Sequence, residues 1–467
     1  GESTASGSRE MFISLIPSSL VFPRQVGGRK LKHPKHPMRI LIIGSGGREH
    51  SLAWKISQSP LLERLWIAPG NPGTARCGTN IDLAADDLDG LVDFAKREQV
   101  TLVVIGPEGP LVAGLADRLS AEGILVFGPK ADAAALEGSK AWSKEVMVRH
   151  RVPTGGYRFF RDLNTVNSYL DGGANYPVVV KASGLAAGKG VVICDDVASA
   201  RNAAKSMLED KVHGTAGETI LVEEFLDGPE ASVFALSDSR TFLCLETCMD
   251  HKALEEGGKG PNTGGMGAVC PNPLVGPRTA DAVERQVMLP TIHGMNHEGK
   301  RFQGVLFAGL KLTTAGPKVL EYNVRFGDPE CQVLMMRFQS DLVPYLEACA
   351  KGTLEEVDAP QWDPRPAVTV ILVSDGYPGN YSKGVPIHGL EALENNPDVQ
   401  VFHAGTAMDG EQLVTAGGRV LAVTAVGENI FEARKSAYAA VQEISFEGMR
   451  YRKDIGLAAL EAVDSLA

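Results

Sequence analysis

No pair of cysteines in this chain is spaced C-x-x-C. That removes a zinc ribbon and a dithiol redox centre from consideration, and seven scattered cysteines fit a reducing compartment. No apolar run approaches the roughly 20 residues that cross a bilayer, so no membrane partner is expected. Positive charge is in deficit, with 46 basic residues against 57 acidic ones and a net charge of −11. Such a chain is not a general nucleic-acid binder, because that affinity rests on neutralising phosphates. Small anionic ligands, held by local groups, stay open. A G-x-x-x-x-G-K-[ST] loop is also missing, and so is the G-x-G-x-x-G fingerprint.

Acids are missing altogether between Met11 and Arg48. Residues 1–37 carry six basic residues against two acids and are rich in Ser and Pro. That is the composition of a transit peptide. The remaining length exceeds what one core supports and implies about three or four domains.

From Met38 the character changes. RILIIG, ERLWIAPGN, TLVVIGPEGPL and ILVFGP read as short buried strands separated by helical segments, which predicts a parallel, doubly wound Rossmann-like sheet over 38–138. Ligands in such sheets sit at the strand C-terminal ends, where Gly46, Gly47 and Arg48 lie on one loop and Pro107 and Glu108 on another. A second α/β region over 139–352 follows, with a hairpin-rich lid at about 155–228 and a long Gly-rich loop from Asp250 to Pro273. Residues 353–367 read as a linker and 368–467 as a compact α+β domain.

Three segments carry chemistry. VVVKASGLAAGKGVVI places two β-branched strands around Gly184, Gly188, Lys189 and Gly190, a loop whose backbone N–H groups suit phosphates, with Lys181 on the first strand. In VLEYNVRFGDPE, strand alternation puts Glu321, Asn323 and Arg325 on one face. A carboxylate and an amide oxygen suit a hard cation such as Mg²⁺, and a guanidinium suits a carboxylate or phosphoryl group. TILVEEFLDGPEAS offers Glu223, Glu224, Phe225 and Leu226 to a purine edge and Glu230 to ribose hydroxyls. NTGGMG follows as a run of backbone donors beside Asn262 and Thr263, with Asp250 placed to hold an amino group.

Taken in order, these pieces resemble the ATP-grasp superfamily and, within it, the glycinamide ribonucleotide synthetase family. ILIIGSGGREHSLAW, GPEGPLVAG, VVKASGLAAGKGVVI, DHKALEEGGKGPNTGGMGAVCPNP, EYNVRFGDPECQ, GYPG and HAGT carry the likeness from Met38 to about Gly456. It implies a ligase that joins glycine to 5-phosphoribosylamine through glycyl phosphate, with ATP as co-substrate and Mg²⁺ or Mn²⁺ as the metal. Lys140, Lys181, Gly188, Lys189 and Gly190 would meet the ATP phosphates; Glu223, Glu224, Phe225, Leu226 and Glu230 would hold adenosine. Glu321 and Asn323 would bind the metal. Asp250, Asn262, Thr263, Gly264, Gly265, Arg325, Gly327 and Asp328 would place glycine and the amine. Gly46, Gly47, Arg48, Pro107 and Glu108 would face the phosphoribosyl group. Arg325, Lys181 and Lys189 would act on the reacting phosphoryl group.

The strand before E-x-N, GVLFAGLKLT, has no acidic ligand, so one ion or two stays open, with Asp328 as a further candidate. The resemblance further implies a monofunctional enzyme, monomeric or weakly dimeric, in transient contact with neighbouring purine-pathway enzymes. With the basic leader, it points to a plant form in the plastid stroma, the mitochondrion being a second destination. Three rivals stand beside this reading: another ATP-grasp carboxylate–amine ligase, an NAD(P)-dependent oxidoreductase and a non-catalytic nucleotide-binding module.

Overall fold

A computed structural model describes residues 37–186 and 190–466. The leader at 1–36 and the lid-loop residues Gly188 and Lys189 lie outside them. Five parallel strands come first: β1 (Met38–Gly44), β2 (Leu62–Pro69), β3 (Thr79–Asn80), β4 (Leu102–Ile105) and β5 (Leu125–Phe127), in the order β3-β2-β1-β4-β5. Ile40, Leu41, Ile42 and Ile43 are fully buried in succession, as a strand covered on both faces requires. The strand order reverses between β1 and β4, which makes their C-terminal ends the natural ligand crevice.

The lid is a separate antiparallel sheet of β6 (Tyr157–Phe160), β7 (Val178–Ala182), β8 (Val191–Cys194) and β9 (Ile220–Glu224), ordered β6-β9-β7-β8. It has its own core, in which Val180 and Val222 meet Val166, Leu170, Ala200 and Met207. Those last four lie on helices Leu163–Gly172 and Val197–Leu208, so the lid is α+β and not merely hairpin-rich. Asp162 and Asp196 cap these helices by accepting from Thr165 and Ser199 N–H at 2.9 and 2.8 Å.

The central sheet joins β10 (Glu230–Asp238), β11 (Phe242–Cys244), β16 (Gln303–Thr313) and β17 (Gly316–Asn323) in the order β11-β10-β16-β17. Its two faces feed two cores. Val233, Ala235 and Tyr322 pack with the first domain's Leu111 and Leu136, and Phe234, Leu236 and Phe307 pack with Leu334 and Leu346 from later helices.

The Asp250–Pro273 segment is not one loop. It contains β12 (Met249–Asp250), the hairpin β13 (Ala253–Glu255) and β14 (Lys259–Asn262), and β15 (Gly267–Cys270). β15 pairs with β18 (Ala367–Ser374), with Gly267 opposite Val370. The C-terminal sheet runs β12-β15-β18-β22-β19, with β19 (Val399–His403), β22 (Arg419–Val426) and, beside β18, β23 (Met449–Arg450). A hairpin of β20 (Thr406–Asp409) and β21 (Gln412–Thr415) stands apart. The glycine-rich segment is thereby anchored in the C-terminal sheet. The stretch read as a linker is also packed: Trp362 meets Phe338 edge-on at 5.1 Å, and Asp363 N–H donates to Arg337 O at 2.7 Å.

Candidate active site

A cavity of about 440 Å³ opens where the lid, the central sheet, the loops after β1 and β4 and the C-terminal sheet converge. One end is built from lysines. Lys181 stands on β7, and Lys140 and Lys144 lie one helical turn apart on Lys140–Arg149. Lys181 and Lys144 Nζ approach the same Glu223 Oε2, at 2.9 and 3.0 Å, and Lys140 Nζ donates to Gly184 O at 3.1 Å. Burial works against the charge on Glu223, yet the two ammonium groups outweigh it and hold its carboxyl below the usual range. Burial lowers Lys140 and Lys144 in turn. Glu223 Oε1 and Ser143 Oγ are buried without a partner. Three lysines against Glu223 and the neighbouring Glu321 leave this end positive, and its orphaned polar atoms are ready for a ligand.

Between the ends lies β17. A bulge opposite Gly309 and Leu310 leaves Leu320 unpaired and resets the alternation just before Glu321. Glu321 and Asn323 both line the cavity. Burial opposes ionisation of Glu321, but Lys252, Lys181, Lys140 and Arg325 overcome it and lower its pKa. An ionised carboxylate next to an amide oxygen, both facing open space, fits a hard divalent ion. Among the described residues no group of three or more His, Cys, Asp or Glu side chains is arranged to hold a metal ion, so bound phosphates and water would supply further oxygen ligands. Asp328 is engaged elsewhere: it accepts from Arg48 N–H at 3.2 Å and Gln332 Nε2 at 2.8 Å, and lies 3.6 Å from Arg419.

The other end is acidic. Arg325 lies just past β17 and is shared between Glu137 at 2.7 Å and Glu108 at 3.2 Å, with Nη1 donating to Phe326 O at 3.3 Å. Three of its five N–H donors are therefore engaged. Arg48 donates to Glu49 at 2.6 Å and Phe326 O at 3.1 Å. Glu49 fills the gap between β1 and β4: a Cβ on Gly44 or Gly106 would strike it at 2.5 or 2.0 Å, and Gly44 has φ +123°. Those two glycines are what let an acid sit at the switch point and aim Arg48. Asp250 Oδ1 is sealed off without a partner. Burial, then the charge of Glu330, pushes its carboxyl well above the usual range; Glu330, which accepts from Ser232 Oγ at 3.1 Å, is raised by burial as well. Two such carboxyl groups hold a proton until a cation replaces it.

Most of the residues singled out by sequence meet in this one cavity. Arg48 and Glu108 reach it from the first domain, Lys140, Lys181, Gly190 and Glu223 to Leu226 from the lid side, and Asp250 and Asn262 to Gly264 from the glycine-rich segment. Glu230, Glu321, Asn323, Arg325, Gly327 and Asp328 complete it. Gly46, Gly47, Pro107 and Gly265 do not line it. Gly46 instead donates its N–H to Glu49 at 2.7 Å, and Gly265, at φ +117°, packs against Pro329. Glu230 is already held by Lys252 at 3.0 Å and Lys311 at 3.3 Å. Sequence reasoning missed Glu137, Lys144, Lys252, Glu330 and Arg419. Lys144, four residues after Lys140, and Lys252, two after Asp250, had readable spacing; Arg419 had none.

Comparison with known proteins shows what the whole chain is similar to. The phosphoribosylglycinamide synthetase N, ATP-grasp (A) and C domains match residues 38–137, 138–331 and 367–458. A phosphoribosylamine–glycine ligase of Agrobacterium fabrum is 51% identical over 424 residues, covering 91% of this chain and 99% of the relative. One from Rhodopirellula baltica is 48% identical over 430 residues, covering 91% and 98%. The crystal structure of the Thermotoga maritima phosphoribosylamine–glycine ligase superposes with a TM-score of 0.79 at 32% identity, covering 90% of this chain and 100% of that one. A Hydrogenobacter thermophilus biotin carboxylase domain, solved with MgADP, shares the fold at a TM-score of 0.68 and 17% identity, covering 89% and 92%.

Proposed function

This chain belongs to the phosphoribosylglycinamide synthetase family of ATP-grasp carbon–nitrogen ligases, which ligate glycine in purine biosynthesis, and we propose how its residues divide that reaction. The observation that carries the division is the polarity of a single cavity, lysine-lined at one end and carboxylate-lined at the other. The triphosphate of ATP takes the lysine end, where Lys140, Lys181 and Lys144 neutralise it. Glu224 to Leu226 border the base. Lys189 and Gly188, in the lid loop, would close over the phosphates.

Glu321 and Asn323 would hold Mg²⁺ or Mn²⁺, which would supply charge neutralisation at the phosphate oxygens when bound. Glycine lies with its ammonium on Asp250 and Glu330 and its carboxylate turned towards the two free N–H groups of Arg325. That carboxylate attacks the γ-phosphoryl group, giving glycyl phosphate and ADP. The amine of 5-phosphoribosylamine then attacks the acyl carbon and expels phosphate. The phosphoribosyl group extends past Arg48 and Glu108. None of this needs a protein nucleophile; it needs position, charge and exclusion of water. No cysteine lines the cavity.

The test is ADP release with glycine and freshly prepared phosphoribosylamine together, against each alone. Turnover that needs both is expected, and turnover indifferent to either one would remove the assignment. No helix among the described residues is long and apolar enough to cross a membrane. A monomer or weak dimer, in transient contact with neighbouring purine-pathway enzymes, completes the proposal. The basic leader suits delivery to the plastid stroma, or else the mitochondrion. A fluorescent fusion of residues 1–60 that stays diffuse in the cytosol would exclude both.

A further inference from the structure

Arg419 opens β22 in the C-terminal sheet, yet its guanidinium faces the cavity. One nitrogen, Nη1, reaches Gly264 O at 2.8 Å, Gly265 O at 3.4 Å and Asp328 O at 2.7 Å, and lies 3.6 Å from Asp328 Oδ1. The hydroxyl of Tyr377, also from the C-terminal region, accepts Gly264 N–H at 3.1 Å. Both backbone groups of Gly264 are thus taken by one domain. Space has been cleared for this. A Cβ on Gly264 would come within 2.9 Å of Arg419 Cζ, and one on Gly418 within 2.2 Å of the Tyr377 ring. Among the described residues, no other hydrogen bond ties Gly264 or Gly265 to the turn at Asp328.

We propose that Arg419 is a positioning residue for the acceptor half of the site: it clamps the Thr263–Gly265 segment to the Asp328 turn and so fixes the walls around Asp250. A Cβ on Gly265 would lie 3.5 Å from Asp250 Oδ1, so the backbone the clamp holds is the backbone beside that carboxyl group. Asp328 is gripped at the same time by Arg48 N–H from the first domain. One turn therefore registers three domains against each other, and the C-terminal domain supplies part of the site's geometry without touching the phosphates. The three carbonyls converge on the single nitrogen Nη1, so an ammonium carried close to that point would keep part of the clamp.

This inference rests on the glycine reading of the acidic end, and the experiment separates the two. Full-length Arg419→Met, Arg419→Lys and Tyr377→Phe are compared with the parent protein for KM of glycine, KM of ATP, kcat and thermal midpoint. Loss of the clamp is a positional defect, and a misplacement of about an ångström costs up to about a hundredfold. KM for glycine should rise about tenfold or more in Arg419→Met, with KM for ATP within about twofold. Arg419→Lys should recover part of the loss, and Tyr377→Phe should shift the same constant by less. Unchanged glycine KM in a folded Arg419→Met protein overturns the inference, as does an equal rise in both Michaelis constants. Should Arg419→Met fail to fold, Tyr377→Phe decides, because it removes one neutral hydrogen bond only: a glycine KM that does not move overturns the inference. A parent protein whose turnover ignores glycine would sink the underlying reading instead.

Discussion

Asp250→Asn should weaken the enzyme towards glycine and at the same time stabilise its fold. Asp250 Oδ1 is buried without a partner, and the neighbouring Lys252 is committed to Glu230 at 3.0 Å. If the carboxylate receives the glycine ammonium, the variant loses one charge-assisted hydrogen bond, worth about 1.5–3 kcal/mol, or about 10- to 150-fold in kcat/KM. The stability effect has the opposite sign. Burial and then Glu330 raise the folded pKa of Asp250 well above its unfolded value. The folded state therefore binds that proton more tightly, and stability falls as pH rises from about 4, the unfolded pKa, through the folded pKa. An amide at this position has no charge to desolvate, and it can donate to Glu330. The assay pairs initial rates of ADP release against glycine, at saturating ATP, with thermal melts at pH 5 and pH 8. Lower kcat/KM for glycine, unchanged KM for ATP and a higher midpoint at pH 8 are expected. An unchanged kcat/KM, or a lower midpoint at pH 8, would refute the reasoning.

Three further outcomes can be checked independently. Glu321→Ala should cut turnover by about 10²-fold or more at saturating Mg²⁺ while circular dichroism stays that of the parent, because the carboxylate faces the cavity and not the core; normal turnover would show the metal lies elsewhere. Arg337→Met should destabilise by about 3–5 kcal/mol in urea titrations with Michaelis constants unchanged, since it strands the half-buried Glu246, 3.4 Å away, and removes donors to Asp363 O and Arg365 O. Acidification should loosen the seam between the first and last domains. Burial holds the His403 imidazole down at about 4, and it also holds His50, which accepts from His403 N–H at 2.7 Å, well below the usual imidazole range. Their contribution is fully present above the unfolded pKa of about 6.5 and is lost as pH falls through 4, about 3 kcal/mol for His403 alone. His403→Gln should therefore show a shallower fall in urea midpoint between pH 7 and pH 5 than the parent.

The first domain was legible because its strands are unbroken apolar runs, a pattern set by burial on both faces and independent of distant partners. The lid helices were readable in principle: Asp162 and Asp196 with Thr165 and Ser199 three residues on are capping signals. They were obscured by their mild amphipathicity, since Ala200, Ala203 and Ala204 bury little apolar area each. The Asp250–Pro273 strands carry no such signal. β14 is exposed at every position, and β15 becomes a strand by pairing with β18, about a hundred residues later in the chain. Glu321 and Asn323 reached the site as alternation predicts, although the bulge at Leu320 that sets their phase has no mark in the sequence. Glu137 and Arg419 were invisible for the same reason: each is defined by its partner, Arg325 in one case and Asp328 in the other.

Those pairings explain why the cavity discriminates between its two ends. Buried ion pairs add little net stability, because desolvation offsets most of the attraction. What they fix is geometry. Arg48, Arg325 and Arg419 each have a carboxylate partner, so the guanidinium planes are set before any ligand arrives. At that end five acids, Glu108, Glu137, Asp250, Asp328 and Glu330, outnumber the three arginines and Lys252, whereas at the other Lys140, Lys144 and Lys181 outnumber Glu223 and the neighbouring Glu321. A triphosphate entering the wrong way round would lose its lysines and meet unneutralised carboxyl groups in a water-poor site, where like charges repel most strongly. An ammonium at the lysine end would fare no better. Under the proposed assignment, excess charge at each end orients donor and acceptor, and the arginine pairs supply the fixed walls against which that excess acts.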